Sequence, residues 1–230
     1  MISVFFRDKF RKGCLYLLFI YNSTIFVFFL LFYIFSDIAS HWIDSLYKKQ
    51  PQTLSYPASR EQRAYYRKGF LFIASCALLL FFPSYSVSAF MYQLVLTYFL
   101  LLVICTDFEQ YVIFDKMLLP FGIIAFPMMF FMELPLIDHL ASAFAGGGLF
   151  LLLAILTRGG IGGGDIKLIF VLGLWLGSRL LMCTVILGFC LGGLAALFLL
   201  LTKQKKRKEF FAYGPYFSAA AIFLSLRSLQ

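Results

Sequence analysis

The sequence predicts an all-α fold, a polytopic transmembrane bundle of about eight spans, and three observations lead there. Hydrophobic residues fill 62% of the 230 positions and charged residues only 13%, fractions far from those of soluble domains. Apolar runs approaching the ~20 residues of a bilayer crossing recur along the whole chain. The basic residues behind the net charge of +9 fall in short clusters at the edges of these runs, where they act as topology signals. Nucleic acid is therefore not a predicted partner, and a lipid bilayer is.

The first apolar run covers residues 14–35 and is followed by a polar stretch, 36–69. Two spans come next, 70–82 and 87–106, hinged at Pro83-Ser84. A fourth runs over 117–132, and the turn Glu133-Leu134-Pro135-Leu136-Ile137-Asp138 leads to a fifth that ends at Thr157. Past a glycine-rich segment lie a short sixth span from Leu168 and a seventh over 180–202; a basic run, 203–208, precedes the last, 211–226. Several of these are shorter than a full crossing, which predicts tilted, partly buried or re-entrant segments.

Orientation follows from Lys and Arg. With 36–69 in the cytoplasm, that side holds Lys48, Lys49, Arg60, Arg63, Arg67, Lys68, Lys116, Arg158, Lys167 and the 203–208 run, while Arg179 and Arg227 lie outside. The amino-terminal basic residues Arg7, Lys9, Arg11 and Lys12 are the misfit. A cleaved signal peptide is the alternative for this end, although the first apolar run is long and lacks a small-x-small cleavage site.

Two aspartates stand at the lips of apolar segments. Asp107 lies in Cys105-Thr106-Asp107-Phe108-Glu109, and Asp165 in Gly162-Gly163-Gly164-Asp165-Ile166-Lys167. A carboxylate beside hydrocarbon is costly to keep charged, so each is a functional-site candidate. The chain between them is long enough for two crossings, which returns it to the same side. Two carboxyls that meet and share one proton are the apparatus of an aspartic protease. Each aspartate also has a plainer reading, Asp165 as the cap of the next helix after a flexible glycine link and Asp107 as a helix-end residue. The joint pattern is the more specific: Asp107 is followed by Asp115 and Pro120, and Asp165 by Lys167 and an apolar run with Gly173, Trp175 and Gly177.

In these motifs the chain resembles the type IV prepilin peptidases, intramembrane aspartic proteases with a Gly-x-Gly-Asp motif. That family's first motif, an aspartate followed after six residues by Pro-Asp and then Leu and Pro, reads here from Asp107 to Phe114-Asp115-Lys116-Met117-Leu118-Leu119-Pro120, with Phe114 in place of the usual proline. The second motif is matched in full by Gly162-Gly163-Gly164-Asp165-Ile166-Lys167-Leu168, and Phe211-Ala212-Tyr213-Gly214-Pro215-Tyr216 is similar to the family's entry to the last helix. The resemblance implies an aspartic endopeptidase with Asp107 and Asp165 as catalytic residues and with Gly162 and Gly164 supporting them. Its substrates would be prepilin-like or pseudopilin-like proteins, cut between a basic leader and a hydrophobic helix at the cytoplasmic face of the bacterial inner membrane. It divides the chain into an N-terminal span with a short loop, 1–69, and a membrane peptidase domain, 70–230.

Peptide hydrolysis by this route needs no cofactor. Many family members also methylate the new amino terminus with S-adenosylmethionine and carry two Cys-x-x-Cys pairs suited to zinc. This chain has neither pair: Cys14, Cys76, Cys105, Cys183 and Cys190 lie in or beside apolar spans without metal-ligand spacing, so no metal is predicted and methylation is in doubt. Asp115, just ahead of an apolar run, reads as a helix cap rather than a third essential carboxylate. Lys167 would pair with Asp165 or reach lipid phosphate. His41 and His139 are isolated. A catalytically inactive assembly protein of a pilus or secretion machine, or a transporter subunit, is the competing class; transport explains neither the glycines before Asp165 nor the pattern at Asp107.

Overall fold

The computed structural model describes residues 29–81, 86–203 and 211–228; the Pro83-Ser84 hinge, the amino-terminal basic run and Cys14 lie outside them. Among the described residues every regular element is helical. In order they are α1 (29–49), α2 (Arg60–Ala64), α3 (Arg67–Phe81), α4 (Val87–Gln110), α5 (Asp115–Phe131), α6 (Leu136–Leu156), α7 (Gly163–Leu201) and α8 (Gly214–Ser228), with 3-10 turns at Pro51–Thr53 and Pro57–Ser59.

Three helices, α4, α6 and α7, are long and apolar enough to cross a membrane. The expected count of about eight spans, several of them short of a full crossing, is not confirmed among the described residues. Helices α3, α5 and α8 have 15, 17 and 15 residues, so at 1.5 Å per residue each is ~23–26 Å long, short of a ~30 Å hydrocarbon core. The polar stretch 36–69 is not a loop either, since α1 runs on to residue 49. Its continuation is amphipathic: Ala39, Ile43, Leu46 and Tyr47 recur at helical spacing and are buried, while His41, Lys48 and Lys49 stay exposed.

Helix α7 is two helices joined at Gly177, whose φ of 68° and ψ of 180° suit only glycine. Partners on α6 give the direction of each arm. Moving along α6 from His139 to Ala143 to Gly147, the neighbours on the first arm step back from Leu174 to Gly173 to Phe170. Moving from Asp138 to Gly146 to Phe150, the neighbours on the second arm advance from Ser178 to Leu181 to Phe189. The arms are thus antiparallel and the chain reverses at Gly177. Asp138 Oδ2 accepts the Ser178 N–H at 3.0 Å, satisfying an amide that the start of the second arm leaves free.

The core is held by aromatic contacts between helices. The Trp175 indole stacks on Phe121 of α5 (5.1 Å), which stacks in turn on Phe99 of α4 (5.0 Å). Trp175 Nε1 donates to the Phe121 carbonyl at 3.0 Å, so the buried indole N–H has its partner. On the other side of the bundle, Phe217 of α8 meets Phe150 of α6 and Phe189 of α7. Outside, Phe130, Ile137, Ile155 and Leu201 are exposed, as a surface solvated by lipid tails requires. This packing puts the α4–α5 and α6–α7 connections and the start of α8 at one end of the bundle, and the α5–α6 turn with Gly177 at the other.

Candidate active site

Asp107 sits on the last turn of α4. The helix ends because Tyr111 adopts the left-handed conformation (φ 54°), returning its N–H to the Asp107 carbonyl at 3.0 Å, and Val112 and Ile113 lead without regular structure to the extended Phe114 ahead of α5. Asp165 enters from the opposite direction, as the third residue of α7 after the N-cap Gly162. Its N–H bonds the Gly162 carbonyl at 3.1 Å, and the Gly162 amide is directed at its carboxylate. Asp165 is turned back toward the N-cap with one oxygen only, and it is not itself the cap, since the N-cap is Gly162 and carries no side-chain cap.

The other oxygen is not used. Asp165 Oδ1 and Asp107 Oδ2 are both buried and have no hydrogen-bond partner, and the two carboxyls are close enough for the charge of one to act on the other. Asp107 is only 5% exposed. The backbone amide of Gly214, at the start of α8, is directed at it. Buried acceptors without partners are rare in folded proteins, and a facing pair of them is suited to hold a proton or a water molecule.

Glycine makes the approach possible. A Cβ on Gly164 would come 3.0 Å from Cβ of Ile113, and one on Gly214 would come 2.6 Å from Asp107 Oδ2 and 3.0 Å from Ile113 Cδ1. Ile113 is therefore gripped between the first turns of α7 and α8, and this brings both helix starts onto the end of α4. A Cβ on Gly162 would stand 3.2 Å from Asp165 Oδ2, whereas one on Gly163 would meet nothing within 4 Å. Of the motif's glycines, Gly162 and Gly164 carry the close contacts.

Two expectations are corrected. Asp115 is not a cap: Phe114 is the N-cap residue of α5 and makes no side-chain cap, and both Asp115 oxygens instead take the Lys167 ammonium at 2.7 Å. Lys167 accordingly pairs with Asp115 and not with Asp165. The pair ties the start of α5 to the start of α7, and it is well exposed.

Sequence reasoning missed a second set of residues. Arg67, read as a topology signal, is buried with its guanidinium forked onto Glu109, Nε to Oε1 and Nη2 to Oε2, both at 2.7 Å. Arginine so rarely sits inside without a partner that Glu109, two residues past Asp107, was the available signal. His139 Nδ1 lies 2.8 Å from the Leu174 carbonyl. Among the described residues no group of three or more His, Cys, Asp or Glu side chains is arranged to hold a metal ion.

Comparison with known proteins bears on the same residues. The model of the type IV leader peptidase family matches residues 94–197, a segment that contains Asp107, Asp115, Asp165 and Lys167. A prepilin leader peptidase/N-methyltransferase of Bacillus subtilis (strain 168) is 34% identical over 117 residues, covering 48% of this chain and 47% of that protein. The chain therefore spans about half the length of the curated relative it matches. No solved structure matches.

Proposed function

With a type IV leader peptidase segment at 94–197 as the premise, we propose that this chain is an aspartic endopeptidase of the membrane, hydrolysing the bond between a basic leader and a hydrophobic helix in prepilin-like or pseudopilin-like proteins. The observation that carries the reading is the facing pair of Asp107 and Asp165, delivered by different helices to one end of the bundle, each with a buried carboxyl oxygen that nothing in the chain binds.

In the proposed reaction one carboxylate takes a proton from a water molecule, whose oxygen attacks the scissile carbonyl carbon. The other carboxyl, protonated, donates to the carbonyl oxygen, and a proton then passes to the leaving nitrogen as the C–N bond breaks. No covalent intermediate forms. The proton belongs to the pair, which titrates as a unit. The Gly214 amide, directed at Asp107, orients that carboxyl, and the Gly162 amide does so for Asp165. The bond cut lies just ahead of a hydrophobic helix, so a dyad at the edge of apolar helices can draw water from one side while the rest of the substrate stays in lipid.

The distribution of Lys and Arg supports placing this edge at the cytoplasmic face of a bacterial inner membrane. The proposal covers hydrolysis alone, without metal or cofactor. Purified protein in bilayers, given a prepilin-like substrate, should release the leader and leave a new amino terminus, identified by mass spectrometry. The expected product is unmethylated whether or not S-adenosylmethionine is added. A mass gain of one CH₂, about 14 Da, dependent on that cofactor, would add methylation to the chain's repertoire; an uncut substrate would remove the peptidase reading.

A further inference from the structure

We propose that residues 36–69 are a clamp on the end of α4, with Arg67 a positioning residue that acts through Glu109 to hold Asp107 in place; the inference rests on the dyad proposed above. Glu109 and Gln110 are the two last residues of α4, and both are gripped from this stretch. Arg67 forks onto Glu109 at 2.7 Å and sends its remaining nitrogen, Nη1, to Asp44 Oδ1 and the Ser40 carbonyl, each at 3.0 Å. Tyr47 donates its hydroxyl to Glu109 Oε2 at 3.0 Å, and its ring lies 5.4 Å from the Arg67 guanidinium carbon. The Gln110 side chain accepts the Tyr56 N–H at 2.9 Å and donates to the Tyr56 carbonyl at 3.2 Å. Just past the helix, Tyr111 meets the ring of Tyr56 and Phe114 that of Tyr47, at 5.6 and 5.8 Å.

Stability alone does not account for such a cluster, because replacing a buried ion pair with apolar residues of similar volume is often neutral or stabilising. What a guanidinium fork adds is fixed geometry, which lysine cannot supply with a single point of charge. Asp107 needs it. The 2.6 Å separation between its Oδ2 and the place a Cβ on Gly214 would take leaves the carboxyl little room, and misplacing a reacting group by ~1 Å can cost on the order of a hundredfold in rate. A grip on the next two residues of the same helix holds the backbone from which Asp107 projects.

The test compares full-length Arg67→Lys and Tyr47→Phe with wild type, in bilayers, for kcat, KM and the midpoint of thermal unfolding, with Lys49→Met as a control from the exposed face of α1. The expected result is a kcat lowered about tenfold or more in Arg67→Lys and severalfold in Tyr47→Phe, with KM within about twofold and the unfolding midpoint held. Lys49→Met should match wild type. If Arg67→Lys does not fold, Tyr47→Phe, which removes one oxygen, decides alone. Wild-type kcat in the folded variants, or a loss of kcat that only tracks a falling unfolding midpoint, overturns the clamp. Asp107→Asn is measured alongside: its inactivity beside fully active clamp variants would sink the clamp and spare the dyad, while its activity would sink both.

Discussion

The glycines that open α7 and α8 give the sharpest contrast at the scale of single residues. Alanine at position 214 would put its Cβ 2.6 Å from Asp107 Oδ2, whereas alanine at position 163 would meet nothing within 4 Å and raises helix propensity. Initial cleavage rates should therefore fall about tenfold or more in Gly214→Ala and stay within about twofold of wild type in Gly163→Ala. The exposed Asp115–Lys167 pair has a lesser role. Its removal by Asp115→Asn should change stability by less than about 1 kcal/mol in thermal unfolding and lower cleavage far less than loss of Asp107, because water screens such a pair. Complete inactivation of a normally folded Asp115→Asn would make it a third essential carboxylate. Asp107, Asp165, Gly162 and Gly164 stand out in the sequence because they lie in two short motifs, and the structure brings both motifs to one end of the bundle. The partner of Lys167 lies 52 residues away and could not be read from spacing.

The reversal of α7 is the feature on which the site depends at the scale of elements, since it returns the chain to the level of Asp107 in time for α8. It rests on Gly177 and on the Asp138 cap of the second arm. Gly177→Ala would strain a backbone reserved for glycine, at a cost of ~1–3 kcal/mol, and would set a Cβ 2.5 Å from Asp138 Oδ2. Asp138→Ala, which frees the Ser178 amide, should cost ~1 kcal/mol and Asp138→Asn less, because asparagine keeps an acceptor. Thermal unfolding in detergent should rank the three in that order, and equal midpoints would mean that the turn is not a weak point. The sequence divided this stretch into a sixth span from Leu168 and a seventh from Leu180, but it did not show the reversal at Gly177, which was read as part of the apolar run. The extension of α1 was missed because polarity over 36–69 was read as loop when the spacing of Ala39, Ile43, Leu46 and Tyr47 already described one buried face.

For the whole molecule, parity of the helices sets the topology. Cysteine labelling should find residues 107 and 163 on one side of the membrane and 138 on the other, with the first pair cytoplasmic if the basic residues govern insertion. Opposite sides for 107 and 163 would separate the two carboxyls. The all-helical class followed from composition, but the number of full spans did not, since hydropathy cannot tell a lipid-crossing helix from a shorter one packed inside a bundle, such as α5 with Pro120 and Pro127 in its interior. The Arg67 cluster escaped for the related reason that a basic residue at the edge of an apolar run looks the same whether it faces water or a buried glutamate. Everything proposed for the chain turns on Asp107 and Asp165 working as one unit. The most direct measurement is single-turnover cleavage of a prepilin-like substrate by purified wild type, Asp107→Asn and Asp165→Asn in bilayers, each shown to be inserted and folded. Both substitutions are expected to abolish cleavage, and the double variant to be no worse than either. Near-normal turnover in either single variant would contradict a shared site.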